Sequence, residues 1–540
     1  MDPHAQENRS ATVEEVDVDI GFQPRTEEPR LAAPLASNIF RDAREPVFRR
    51  ETQGEEVRQW QEEEFQRKLR GEYEEMQRRL HEVVETSMDH PLHISSIRIP
   101  NPPRVTRPGF LNSLISPFIS KPSTSPLSIP WLNPATTSGA PNPPQTLHEI
   151  LLTTKAMAAH LRGFDIFHDD VDVKFQPAEG GAVGDVDLVL GVREKGRLFL
   201  KGGTEIGGGE GGANATARLR NVFGGAETVE FNATYGTKTK SAYQLALSTP
   251  LLASPLLNLS LSAFSLDRDN TAFAAHRERS EGGRAKISAR APWGTHDLIY
   301  EFINREIGNL TPKASISIRE LAYPSTKASL VHTYTRDTRD DAWTGSRGSL
   351  VKVSHEFAGL PCSSPSANFF KSTAQTQLSR MIWPGSGWHY SIASLLTISV
   401  PLSPSGKTAL PDRVFLGGPN SVRGWRIGGM GLRDGHDSLG GDLAFATGLS
   451  VYAPFPAKPE WPVKLHGFIN TGRVTAWDCQ RTFGNNVNKL FSSPNLSAGF
   501  GLLYRLDPIR IEVNLALPLV GRKGEGWARG LGVGIGLEFL

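Results

Sequence analysis

Cysteine is nearly absent from this chain of 540 residues: Cys362 and Cys479 are the only two, far apart and both in polar surroundings. That excludes a disulfide framework and any cysteine-spaced metal site, leaving at most a single bridge between them. A large charge of one sign is also lacking. The formal net charge is +2, which argues against a nucleic-acid partner held by phosphate neutralisation. No window approaches 18 consecutive apolar residues, so no transmembrane helix is expected. The N-terminus has no basic start followed by an apolar core, and residues 1–30 carry eight acidic residues against three basic ones. Neither a secretory signal nor a matrix-targeting presequence is expected. No nucleophile motif, histidine triad or metal-ligand spacing occurs. The expectation is a protein without enzymatic activity, cofactor or metal.

What is present changes along the chain. Residues 1–54 are polar, proline-containing, acidic and aperiodic, and are expected to be disordered. Within 55–88, Val57 and Trp60, then Leu69, Tyr73, Met76, Leu80 and Val83, fall at helical spacing among Glu and Arg. This predicts an amphipathic helix, either lying on its own domain or docking a partner. Residues 90–195 read as a small α/β unit of order β-α-α-β-β: a strand at Ile94–Ile99, helices at Pro108–Phe118 and Thr146–Leu161, and strands at Val171–Phe175 and Val186–Val192. A Pro/Ser-rich stretch at 119–145 interrupts it as an inserted loop.

From 196 to 540 the period becomes two. Leu257, Leu259, Leu261 and Ala263 alternate with Asn258, Ser260 and Ser262, and Ile509, Ile511, Val513, Leu515, Leu517 and Leu519 alternate with Arg510, Glu512, Asn514, Ala516 and Pro518. Each segment thus has one apolar and one polar face. The segments run to about ten residues, the length a tilted strand needs to cross a bilayer. Charges such as Lys286, Arg290, Arg510 and Glu512 sit mid-segment on the non-apolar face, and Trp388 and Tyr390 sit near a segment end. That is the pattern of a barrel with a wet lumen and aromatic girdles. The expected fold is an all-β transmembrane barrel of about 16 antiparallel strands, preceded by one small α/β domain.

The longest connection, 403–440, contains Phe415-Leu-Gly-Gly-Pro-Asn-Ser-Val-Arg-Gly-Trp425. A loop of this length is usually functional or disordered. It is either an ordinary surface loop or a segment folded into the lumen and anchored there by the five-donor fork of Arg423.

The run Gly417, Gly418, Ser421, Val422, Arg423, Gly424, Trp425 resembles the signature loop of the bacterial surface antigen superfamily, barrels that assemble other outer-membrane proteins. Tyr334-Thr-Arg-Asp-Thr-Arg-Asp340 resembles that family's strand-turn signature, here Asp337, Arg339 and Asp340. Leu219-Arg-Asn-Val-Phe-Gly-Gly-Ala-Glu227 looks like its first hairpin. A single candidate POTRA (polypeptide-transport-associated) domain and Phe468-Ile-Asn-Thr-Gly472, with Asn470 where bacterial members tend to carry Asp, point within it to the core channel subunits of the mitochondrial sorting and assembly machinery. That departure leaves Glu512 and Asn470 as alternative lumen partners of Arg423.

The resemblance implies a barrel in the mitochondrial outer membrane with its N-terminal domain in the intermembrane space. It implies β-barrel precursors as substrates, cytosol-facing accessory subunits, and insertion by strand exchange at a lateral gate between first and last strands. The gate residues would be Leu198, Leu200, Gly202 and Gly203 with Gly532, Gly534, Gly536, Leu537 and Phe539. Glycine in a strand interior packs nothing and costs roughly 0.5–1 kcal/mol against alanine. These glycines therefore read either as a pairing built to open or as relief of crowding in the lumen. A passive porin-like channel and a polypeptide translocase of the same superfamily are the alternative functions.

Overall fold

The computed structural model describes residues 60, 62–66, 91–118, 145–178, 185–207, 210–341, 345–383, 385–403, 406–456, 458, 460–506 and 509–536. The chain divides into two units, 1–90 and 91–540. In the first, Trp60 and residues 62–66 are helical, with Trp60 and Phe65 exposed. The segment expected to be disordered, 1–54, the remainder of the expected 55–88 helix, and 119–144 of the insertion lie outside the described residues.

The second unit begins with a small sheet and two helices: β1 Pro91–Arg98, α1 Pro108–Ile115, β2 Gln145–Thr146, α2 Leu147–Arg162, β3 Asp172–Pro177 and β4 Asp185–Gly191. The sheet order is β2-β1-β4-β3, with β1 and β4 parallel. Strand β2 was not expected. Two residues carry no periodic signal, and they form a strand only because they meet Pro91 and Leu92 across the sheet. Thr146 then starts α2 as its N-cap, its hydroxyl accepting from Glu149 N at 3.3 Å, which satisfies one of the free amides of the first turn. Leu114, Met157, Leu161, Phe167 and Leu190 are almost wholly buried between helices and sheet.

Sixteen strands follow in one sheet. They are β5 Leu198–Gly207, β6 Glu210–Arg220, β7 Thr228–Gly236, β8 Thr239–Pro250, β9 Leu257–Asp269, β10 Arg277–Ala291, β11 Gly294–Gly308, β12 Ser325–Asp337, β13 Gly348–Ala358, β14 Phe369–Met381 and β15 His389–Pro401. After the long connection, which carries its own hairpin β16 Leu432–Asp434 and β17 Asp437–Gly440, come β18 Leu443–Pro454, β19 Val463–Thr475, β20 Asn495–Leu506, β21 Ile509–Val520 and β22 Gly530–Gly536. Strands adjacent in this sheet pair antiparallel, as in β10 with β11 and β20 with β21. The sheet curls until β5 and β22, the two ends of its order, come within 8 Å of each other. No helix among the described residues is long and apolar enough to cross a membrane; the strands do the spanning.

Alternation sorts the side chains. Leu298 and Tyr300 on β11 and Leu515 and Leu517 on β21 are exposed outward, whereas Glu301, Arg305, Glu512 and Asn514 are buried inward. Several inward charges form ion pairs along the wall: Arg218 with Glu230 at 2.7 Å, Lys286 with Asp297 at 3.0 Å, Arg284 with Glu301, and Lys327 with Glu356 at 2.8 Å. The long loops 270–276, 309–324, 359–368, 402–442, 476–494 and 521–529 all lie at the end away from the small domain.

The small domain is fastened to the barrel's opposite end through the turn 221–227. Asn221 Nδ2 donates to Thr106 Oγ1 at 2.9 Å, Arg107 N donates to Gly224 O at 2.8 Å, and Arg107 Nη2 reaches Glu227 at 2.7 Å. Glu194, at the exit of the small domain, accepts from Thr106 Oγ1, Thr106 N and Val105 N at 2.6, 2.8 and 3.2 Å. Burial pushes its carboxyl up, but these hydrogen bonds together outweigh burial and hold it below the ordinary glutamate value. Its hold on 105–106, and through Thr106 on Asn221, is therefore present above the ordinary value and is lost as pH falls through the lowered one. Ala226 and Ala253, from two barrel turns, complete the small domain's core.

Gly224 has φ +86°, and a Cβ there would lie 2.7 Å from Val105 O. Gly224→Ala should cost this junction roughly 1–3 kcal/mol. Trypsin cleavage after Arg104 in the detergent-solubilised protein should then rise by about fivefold or more, since 1.4 kcal/mol is a factor of ten. An unchanged cleavage rate would show that this turn does not carry the docking.

Candidate functional site

The connection 402–442 enters the barrel from the loop-bearing end and packs against its inner wall. The turns of the Gly-Gly run need glycine: Gly417 has φ +109° and Gly424 φ +94°, and a Cβ on Gly424 would sit 3.2 Å from Ser497 Cβ of β20. This close approach carries Arg423 onto the wall. Its side chain is 1% exposed. Arg423 Nη2 and Nε donate to Glu512 Oε2 of β21 at 2.7 and 3.3 Å, and Nη1 donates to Asn470 Oδ1 of β19 at 3.3 Å. The guanidinium carbon also lies 4.8 Å from the ring centre of Phe468. A guanidinium out of water is tolerated only when its charge is matched and its donors are used.

Glu512 is 0% exposed and is itself supported, accepting from Asn514 Nδ2 at 2.8 Å. His466 Nδ1 approaches Asn514 Oδ1 to 3.3 Å and its ring stacks on Tyr452 at 4.7 Å. Both partners considered for Arg423 are thus at the site, with distinct parts: Glu512 supplies the charge and Asn470 receives a hydrogen bond from a further arm of the fork. The long connection is neither a surface loop nor disordered over its described residues.

Val422 and Trp425, 1% and 2% exposed, close an apolar layer with Leu416, Met430, Ala444, Ala446 and Val474. The same stretch is bonded to the connection between β21 and β22. Arg426 N donates to Gly526 O at 2.9 Å, Gly526 N to Gly429 O at 2.8 Å, and Ala528 N to Gly424 O at 2.9 Å. A bridge pairs Trp425 with Trp527. Glu525 adds contacts from its two oxygens to Gly431 N at 3.3 Å and Asn495 Nδ2 at 2.6 Å. The signature loop is therefore hydrogen-bonded to the segment that leads into the last strand. Sequence reading missed this segment because backbone bonds between two irregular segments leave no periodic trace, and it gave Phe468 and Asn514 no part in the site because their side-chain contacts form only in the fold.

At the seam, among the described residues, β22 pairs with β21 from Arg510↔Gly536 to Ala516↔Gly530, and no ladder joins it to β5. Leu198 and Leu200 on β5 are 64% and 68% exposed, and Leu531 and Val533 on β22 are 74% and 52% exposed. A Cβ on Gly202 or Gly532 would meet nothing closer than a backbone oxygen at 3.9 or 3.8 Å, whereas one on Gly203 would meet Asn214 Oδ1 at 3.2 Å. Gly534 and Gly536 fall within β22, while Leu537 and Phe539 lie outside the described residues.

Asp337, Arg339 and Asp340 are elsewhere, at the small-domain end. Arg339 bonds Asp337 Oδ2 at 2.7 Å and Gln377 Oε1 at 2.7 Å. Asp340 Oδ1 accepts from Asp341, Ser346 and Arg347 amides at 3.0, 2.9 and 3.1 Å. Burial raises its carboxyl, and the bonds from Ser346 and the amides outweigh that and hold it below the ordinary aspartate value. This motif pins a turn and does not join the loop site.

Comparison with known proteins bears on both parts. A family model described as the Omp85 superfamily domain matches residues 221–539. A SAM50-like protein of Schizosaccharomyces pombe is 30% identical over 473 residues, which cover 86% of this chain and 95% of that protein. The human sorting and assembly machinery component 50 homolog is 28% identical over 408 residues, covering 73% of this chain and 84% of that one. Among solved structures, BamA from Haemophilus ducreyi lacking POTRA domains 1–3 superposes with a TM-score of 0.63 at 14% identity, covering 82% of this chain and 84% of that chain.

Removing one partner of a buried ion pair costs roughly 3–5 kcal/mol. Arg423→Ala should therefore detach the signature loop and lower the unfolding temperature in detergent, whereas Arg423→Lys should recover part of the loss. A thermal midpoint and loop protease resistance equal to the parent's in Arg423→Ala would contradict this anchoring.

Proposed function

The chain belongs to the Omp85 superfamily, in the branch of the SAM50 relatives, and from that premise we propose that it inserts β-barrel precursors into the mitochondrial outer membrane by strand exchange between β5 and β22. In this reading the small domain faces the intermembrane space and the loop-bearing end faces the cytosol, where accessory subunits of the sorting machinery would dock. The observation that carries it is the seam: the first and last strands stand side by side without a ladder among the described residues.

In hydrocarbon an unpaired backbone group costs several kcal/mol, so an open sheet edge seeks a partner. An incoming strand supplies one by main-chain hydrogen bonds. Successive hairpins of a precursor would then add at the seam until the new barrel closes and leaves. The glycines favour this reading over lumen crowding, because Gly202 and Gly532 have room for a side chain and lack one. A passive porin is disfavoured by the loop that is buried across the lumen, anchored at Arg423. A translocase would use the lumen as its path, and the same buried loop disfavours it.

The test is a cysteine pair, one at 200–203 and one at 531–534, in a Cys362→Ser/Cys479→Ser background. Oxidation should reduce insertion of an imported β-barrel precursor to a small fraction of the reduced control, and reductant should restore it. Unimpaired insertion by the crosslinked protein would refute the gate.

A further inference from the structure

The long loop is fastened to the barrel at a second place, on residues that the gate reading does not use. Asp412 lies in a short 3-10 turn, Leu410–Asp412. Its Oδ1 accepts from Arg305 Nη1 of β11 at 2.6 Å, and both side chains are 4% exposed. Lys371 Nζ of β14 donates to the backbone oxygen of Asp412 at 3.1 Å. The other nearby cations on this wall have acidic partners of the wall itself, Lys327 with Glu356 and Arg284 with Glu301. Leu410 packs with Ala274, Ile307 and Ile318 beside the turn. In the strand order β21 stands second and β11 tenth, eight places apart of sixteen. The two ion pairs, Asp412–Arg305 and Arg423–Glu512, thus hold the loop to opposite walls.

The two ends are not equivalent. Arg423 is bonded through three nitrogens. Asp412 and Arg305 meet through one oxygen and one nitrogen, and among the described residues Asp412 Oδ2, Arg305 Nε and Arg305 Nη2 have no hydrogen-bond partner although they are buried. Buried groups left unsatisfied cost free energy; the Arg423 end also leaves Asn470 Nδ2 without a partner among the described residues, but its guanidinium uses three nitrogens where Arg305 uses one, so the Asp412 contact is the weaker of the two.

We infer that Asp412 and Arg305 form a releasable latch, making the loop a crossbar that is fixed at Arg423 and freed at Asp412. Its closed state presses the signature stretch against the 521–529 connection and so positions the last strand. Asp412 and Arg305 are positioning residues, since neither touches the seam. The functional arm of this inference rests on the insertase reading; the latch itself does not.

The experiment uses the full chain reconstituted in liposomes, in a Cys362→Ser/Cys479→Ser background with a reporter at Ala409→Cys, a position 3% exposed. Maleimide labelling reads the latch and insertion of a labelled β-barrel precursor reads function. Asp412→Asn should speed labelling several-fold and slow the insertion rate at saturating precursor, leaving the half-saturating precursor concentration unchanged. The exchange Arg305→Asp with Asp412→Arg should return both readouts toward the parent's, with barrel folding checked by heat-modifiable gel mobility. Labelling of Asp412→Asn at the parent's rate overturns the latch. Faster labelling with a parental insertion rate overturns its positioning role. If the parent itself inserts nothing, the insertase reading fails, while the labelling still decides the latch.

Discussion

The ion pair between Arg423 and Glu512 is the constraint on which the rest of this structure hangs. Both groups are out of water, and each charge would be strongly unfavourable there alone. Their proximity forces the signature loop down onto β21, and the glycines at 417 and 424 let the backbone come that close. Once there, the loop buries Val422 and Trp425 and aligns its backbone with the 521–529 connection. A single buried contact thereby links the interior of the barrel to the start of its last strand.

A second constraint works against it. Lipid gives no hydrogen bonds, so a spanning sheet is driven to close. This one comes round to within 8 Å and stops short of a ladder between β5 and β22 among the described residues. On the two strands, Gly202 and Gly532 lie where a side chain would have room. The proposed function takes the balance between these two constraints as its basis: a loop that holds the last strand in place and a seam that gains pairing only when another strand arrives.

How far this was readable from sequence differs from element to element. The strands of the barrel were legible because lipid and lumen impose a period of two; the start of β9 and β21 show it residue by residue. Arg423 was legible as a candidate anchor through the resemblance of its Gly-Gly to Trp425 run to a family signature, with the surface-loop alternative left open until the fold placed it on β21. Its partner was not, since nothing in the sequence ranks Glu512 above other inward acids, and only the fold shows Glu512 and Asn470 dividing the fork between them. Asp412 with Arg305 was invisible: they lie 107 residues apart and meet only once the loop crosses the lumen. Strand β2 escaped because two residues have no period. The grip of Gly424 and Gly429 on 526–528 escaped because it is made of backbone alone.

The central claim is that function resides at the seam. It is tested most directly by arresting a precursor whose last strand carries a photoreactive side chain and mapping the crosslinks it forms. The account predicts adducts on β5 and β22, at 198–204 and 531–534, with the lumen face of β10 to β14 unlabelled. Adducts confined to that lumen face, with none on β5 or β22, would contradict it.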